Sequence, residues 1–116
     1  GLLAVAMSQR RLLRVMLGAP TPLRVIESLR AVAPREGPER ELLQKFLDRN
    51  APMLQHSNAR FAVDFEESAD GQPLLHVGFS DESTQVLNPV LYRSSHHMLM
   101  RVLEIDEEKY IESQEM

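Results

Sequence analysis

Three runs in the middle of the chain alternate hydrophobic and polar residues. They span Arg60–Glu66, Leu74–Phe79 and Thr84–Leu87. In the first run the hydrophobic side chains share one face, and they are Phe61, Val63 and Phe65. A period of two residues is typical of a half-buried strand. Turn-forming residues separate the runs at 68–71 and 80–83, so this segment predicts three short strands.

Hydrophobic residues at helical spacing lie on both sides of these strands. Pro38 suits the first turn of a helix, and an apolar stripe from Leu42 to Leu47 predicts a helix that Pro52 ends or kinks. Ser94 or Ser95 is a candidate N-cap for a second helix of about a dozen residues. Its apolar residues are Met98, Leu99, Val102, Leu103 and Ile105. From Asp106 onward five acids and one lysine predict a frayed, solvated tail.

The segment from Leu23 to Val32 fits two patterns. Its apolar residues fall on one face at period two, which predicts a strand, while Leu23, Ile26 and Leu29 also fit a helical spacing. Pro22 and Pro34 bracket the segment at the length of a strand. We therefore favour a strand.

The resulting order is strand, helix, strand, strand, strand, helix. A helical crossover makes the first two strands parallel, and the short links at 67–72 and 80–83 predict antiparallel neighbours. The predicted fold class is α/β, with a mixed four-stranded sheet and two main helices in the thioredoxin-like plan. We divide the chain into a basic N-terminal arm (1–22), the thioredoxin-like domain (23–105) and an acidic tail (106–116). The predicted core consists of Leu42, Phe46, Phe61, Val63, Phe65, Leu75, Val77, Phe79, Val102 and Leu103.

The composition excludes several kinds of chemistry. The chain has no cysteine, which excludes disulfides, thiolate catalysis, cysteine-ligated zinc and iron–sulfur clusters. Pro73 precedes a strand, where either a cis-proline or, as we favour, a trans proline that starts the strand fits. His96 and His97 are adjacent and would point about 100° apart on a helix, so they are poorly placed for a shared metal. No cofactor, metal or small-molecule substrate is predicted.

The charges are unevenly distributed. Residues 1–40 carry seven arginines and three glutamates, whereas the chain as a whole has a net charge of −4. No acid occurs before Glu27, and the residues around Gly18–Pro22 predict a break in the chain. An arginine-rich, acid-free segment is typical of a mitochondrial import sequence, and it equally suits an arm that binds RNA. Both interpretations remain open.

Arginine is suited to RNA because its planar guanidinium group binds two phosphate oxygens at once. The candidate RNA-binding residues are Arg10, Arg11, Arg14, Arg24 and Arg30. The first 45 residues contain no aromatic side chain, so the arm does not predict base stacking. We expect a short basic arm of this kind to become ordered only within an assembly.

Residues 23–105 resemble a cysteine-independent thioredoxin-like family. Its members are one protein of each mitochondrial ribosomal subunit and the B-eight accessory subunit of respiratory complex I. The resemblance rests on the order of elements, a loop with Gly37, Pro73 ahead of an aromatic-ended strand, and a closing helix. Asn50-Ala51-Pro52 with Asn58, and Arg10-Arg11-Leu12-Leu13, resemble the small-subunit branch most.

This resemblance implies a protein of the mitochondrial matrix that serves as a structural subunit without catalysis. Its partners would be mitochondrial ribosomal RNA, reached through the N-terminal arm, and neighbouring ribosomal proteins, with no membrane span. The acidic composition departs from the usual basic character of ribosomal proteins. An accessory subunit of complex I therefore remains the alternative, and a thiol-free enzyme related to glutathione-dependent proteins is a third hypothesis.

Overall fold

A computed structural model describes residues 2–17 and 22–115 of the chain. Its strands and helices follow the order α1, β1, α2, α3, β2, β3, β4, α4. The α-helices are α1 (Leu2–Met16), α2 (Pro38–Lys45), α3 (Ala51–Ser57) and α4 (Ser95–Gln114). The strands are β1 (Ile26–Ala33), β2 (Ala62–Glu67), β3 (Leu74–Phe79) and β4 (Thr84–Leu87). The predicted chain break falls mainly on residues 18–21, which lie outside the described residues.

The four strands form one mixed sheet in the order β2-β1-β3-β4. β1 is parallel to β2 and antiparallel to β3, and Leu29 lies opposite both Val63 and Val77. The predicted α/β class and mixed four-stranded sheet are therefore confirmed. The prediction that each short link joins neighbouring strands is wrong for β2 and β3, because β1 lies between them. Their link passes the end of β1, where the Ser68 N–H donates to the Ala33 carbonyl at 2.6 Å.

One face of the sheet packs against the helices. Leu29 and Ala31 of β1 and Leu75 and Val77 of β3 are fully or almost fully buried in a single core. The helices contribute Leu43, Phe46, Leu54, Met98, Leu99, Val102 and Leu103 to that core. Seven of the ten predicted core residues are buried. The other three, Leu42, Val63 and Phe65, are half-buried at its margin, since β2 is an edge strand.

A π-helical turn, Phe46–Asn50, joins α2 to α3. Here the Ala51 N–H donates to the Phe46 carbonyl, five residues earlier. Pro52 follows at the start of α3 and has no N–H to give to a preceding carbonyl. The helix therefore changes its hydrogen-bonding pattern just before the proline, as the predicted kink requires. All described peptide bonds are trans, including the one before Pro73.

The closing helix corrects the prediction of a frayed acidic tail. Ser94 caps α4, since its hydroxyl accepts the His97 N–H at 3.1 Å, and the helix then continues to Gln114. Asp106 and Glu107 are fully buried. They follow Val102 and Leu103 by four residues each and so continue the inward face of the helix. The acids in this part of the chain belong to the fold.

The N-terminal arm contains a helix that packs against α4. Leu12 packs against the core, and the side chain of Arg11 is only 11% exposed. These two contacts differ from the expectation that the arm is ordered only in an assembly. None of the described helices has the length and apolar composition needed to cross a membrane.

Candidate nucleic-acid interface

Two of the five candidate arginines meet at a pair of buried acids. Arg11 Nη1 lies 2.9 Å from Asp106 Oδ2 and 2.6 Å from Glu107 Oε1. Arg24 reaches Glu107 from the other side, with Nε 3.2 Å from the carboxylate. We call these four residues the arginine–carboxylate cluster. Its two positive and two negative charges balance, so neither carboxylate is left buried without an opposite charge.

Asp106 also fixes the chain ahead of β1. Its carboxylate accepts three consecutive backbone N–H groups, from Arg24 at 2.9 Å, Val25 at 2.9 Å and Ile26 at 3.0 Å. Hydrogen bonds to an ionised acceptor are stronger than neutral ones. This side chain therefore joins α4 to the segment that enters the central strand of the sheet.

Arg24 is held by an aromatic ring as well as by charge. Its guanidinium carbon lies 4.5 Å from the centre of the Tyr110 ring, a distance suited to a cation–π contact. The Arg24 side chain nevertheless remains 40% exposed. A phosphate approaching it from solvent would compete with Glu107 for the same guanidinium group.

Arg30 lies apart from this cluster, on the face of the sheet opposite the helices. Its Nη1 atom is 2.7 Å from Glu66 Oε1, and both side chains are about half exposed. Its cross-strand neighbours are Asp64 on β2 and His76 on β3. Exposed ion pairs contribute little to stability, so Arg30 can exchange Glu66 for another anion at small cost.

Arg10 and Arg14 lie on α1 with exposed side chains. Large apolar side chains accompany them on the same helix, since Leu13 is 63% exposed and Leu17, directly after the helix, is 84% exposed. The five candidate residues are thus not one site. Arg11 and Arg24 come together on buried acids, Arg10 and Arg14 face outward from α1, and Arg30 lies on the sheet.

The sequence analysis missed Asp106 and Glu107. A signal for them was present, because both continue the helical spacing of Val102 and Leu103. Counting the acids in this segment hid that spacing. Asn58, on which the family resemblance partly rests, is also structural: it accepts the Leu23 N–H and donates to the Leu54 carbonyl, each at 2.8 Å.

The adjacent histidines have a local role. His97 Nδ1 accepts the Arg93 N–H at 3.3 Å, and its ring meets Tyr92 edge-on with the ring centres 5.0 Å apart. Within residues 2–17 and 22–115, no group of three His, Asp or Glu side chains is placed to hold a metal ion.

The sequence matches no protein-family model, and no curated protein is significantly similar to it.

Proposed function

We propose that this protein is a structural subunit of the mitochondrial ribosome, in its small subunit, and that it supports mitochondrial translation in the matrix without catalysing a reaction. Its proposed partners are ribosomal RNA, contacted by the N-terminal arm, and neighbouring ribosomal proteins. The proposal extends to a thioredoxin-like fold. A parallel pair of strands followed by two antiparallel ones, in the order β2-β1-β3-β4, supports that assignment.

The outward surface of α1 carries this proposal. Exposed arginines, Arg10 and Arg14, alternate there with the exposed apolar side chains of Leu13 and Leu17. Large apolar side chains clustered on a surface mark a place where another molecule binds. Arginines among them suit the boundary between a protein partner and an RNA backbone. A subunit inserted into a ribonucleoprotein would bury both kinds of group.

A second candidate is an accessory subunit of respiratory complex I. The observation that favours it is the pairing of Arg11, Arg24 and Arg30 with carboxylates. This pairing, together with the net charge of −4, leaves fewer positive groups for RNA. Complex I would require no RNA contact and would cover the same exposed apolar residues with protein.

Sedimentation of detergent-solubilised mitochondria separates the two candidates. A ribosomal subunit follows the ribosomal RNA through a sucrose gradient, and its position shifts when chelation of magnesium dissociates the ribosome. A complex I subunit follows NADH dehydrogenase activity and keeps its position after chelation. Sedimentation with neither marker would contradict both candidates.

A further inference from the structure

Six positively charged side chains form no ion pair or hydrogen bond with any described residue. They are those of Arg10, Arg35, Lys45, Arg49, Arg60 and Arg93. This is unexpected in a chain with 17 acids and 13 lysines and arginines. Three of the six, Lys45, Arg49 and Arg93, line the same groove.

We call this the basic groove. Lys45 and Arg49 form one wall, four residues apart at the end of α2 and in the π-helical turn, and residues 93–96 form the other. Its volume is about 310 Å³, roughly ten times the share of one water molecule in the liquid. Glu41 is the one acid in its lining, so the four charged side chains there sum to a net positive charge.

The start of α4 adds donors to this groove. The backbone N–H groups of Ser95 and His96 precede the first hydrogen bonds of the helix, and no acid occupies its first turn. The positive end of the helix dipole therefore adds to the charges of Arg93 and Lys45. Such an environment favours a phosphate group, which offers several oxygens to a guanidinium fork and an ammonium group at once.

An apolar cleft continues from the basic groove. It shares Pro38, Leu42 and Arg93 with the groove and adds Pro89, Val90 and Tyr92, with a volume of about 240 Å³. Val90 is exposed and Tyr92 is partly so. A positively charged channel next to an aromatic side chain is the arrangement by which proteins bind single-stranded nucleic acids, with phosphates in the channel and a base on the ring.

We propose that the basic groove binds the phosphate backbone of a single-stranded RNA segment, with Arg49 and Arg93 as its principal contacts and a base placed toward Tyr92. This rests on the proposed ribosomal function and moves part of the RNA contact from the N-terminal arm to the opposite end of α4. A carboxylate-rich peptide is disfavoured, because Glu41 lies in the groove and yet forms no ion pair there.

A matched pair of variants of the full chain tests the proposal. Arg49→Gln with Arg93→Gln removes two unpaired arginines from the groove, whereas Arg35→Gln with Arg60→Gln removes two exposed arginines elsewhere. Fluorescence anisotropy with an unstructured RNA of about 12 nucleotides gives the affinity at several salt concentrations. We expect the groove variant to bind about tenfold more weakly and its salt slope to fall by about one. The control variant should change less than about twofold, in the range of a net-charge effect.

The outcomes distinguish the groove from the proposed function. Equal losses in both variants would show that net charge alone matters, and would overturn the groove while leaving a ribosomal role intact. The same holds if the wild-type chain sediments with ribosomes but binds no RNA. A glutamate-rich peptide that displaces RNA and loses affinity with the groove variant would also overturn the RNA assignment. Sedimentation without ribosomal RNA would refute the proposed function, whatever the groove binds.

Discussion

The Oδ1 atom of Asp106 lies 3.0 Å from the backbone nitrogen of Ile26, 80 residues earlier in the chain. The same oxygen accepts the Val25 N–H, and the other carboxylate oxygen accepts that of Arg24. The closing helix thus sets where the central strand of the sheet begins. Because Arg11 also pairs with Asp106, one buried carboxylate joins the first helix, the first strand and the last helix.

Replacement of Asp106 by alanine should lower the free energy of unfolding by about 3–5 kcal/mol, as when one partner of a buried ion pair is removed. Three backbone N–H groups lose their acceptor at the same time. Urea denaturation followed by circular dichroism measures the change. Asp64→Ala, which removes an exposed acid from the open face of the sheet, is the control and should stay within about 0.5 kcal/mol of wild type. An equal effect of both substitutions would contradict the role assigned to Asp106.

Arg11→Ala should release α1 while leaving the sheet folded. Arg11 holds the helix to Asp106, Glu107 and the Pro22 carbonyl, whereas its neighbour Arg10 is exposed. Hydrogen exchange should therefore become faster in residues 2–17 of the Arg11 variant and remain slow in β1 and β3. Arg10→Ala should leave exchange in α1 unchanged. Fast exchange of α1 already in the wild-type chain would contradict this attachment.

The sheet was predictable because its signals are local. Alternation over six or seven residues located β2 and β3, and turn residues fixed their ends within one or two positions. The order of strands was only partly predictable. A short link favours adjacent strands, but nothing in residues 68–73 shows that β1 lies between β2 and β3.

The arginine–carboxylate cluster could not be predicted in full from the sequence. The spacing of Asp106 after Val102 indicates burial, but its partners lie about 80 or more residues away along the chain. The same separation hid the basic groove. Lys45 and Arg49 are visibly four residues apart on a helix, whereas Arg93 joins them only through the packing of α4 against the π-helical turn.

Phe46→Ala should destabilise the protein by about 3–5 kcal/mol, the usual range for removing a buried aromatic ring. Phe46 is fully buried, whereas Phe65 is half-buried at the sheet edge, where the Arg40 guanidinium carbon lies 4.7 Å from its ring centre. Phe65→Ala should therefore have a distinctly smaller effect, below the range that its strand pattern alone predicts. Paired urea titrations measure both changes. A larger effect of Phe65→Ala would contradict the assignment of these rings to core and margin.

The turn between β3 and β4 should show an acid-sensitive carboxylate. Hydrogen bonds from the Ser83 hydroxyl and N–H, with a contribution from Lys109, lower the pKa of Asp81 to about 2. A pKa lowered by folding stabilises the folded state above the ordinary value of 3.8, and that contribution is lost as the pH falls toward 2. Ser83→Ala should raise the pKa of Asp81, measured by the ¹³C shift of its carboxyl carbon.

Asp70 is an internal control for that titration. Its pKa is lowered by the Ser68 hydroxyl and the Gln72 N–H, in a different turn. Ser83→Ala should therefore leave the titration of Asp70 unchanged. If both carboxylates shifted together, the cause would be a general loss of structure and not the loss of one hydrogen bond.

The N-terminal arm provides the last prediction. Arg10→Ser with Arg14→Ser should weaken incorporation into the ribosomal subunit, because both side chains are exposed on α1 and each arginine that meets a phosphate releases condensed counterions. The fold should be unaffected, since the arginine–carboxylate cluster is intact. Adding Arg11→Ser should reduce incorporation further and also lower stability, through the loss of its buried ion pairs. Import is secured by a separate targeting sequence, and incorporation is measured on sucrose gradients. Normal incorporation of the double variant would mean that the arm is a processing remnant, and that RNA contacts must come from elsewhere on the chain.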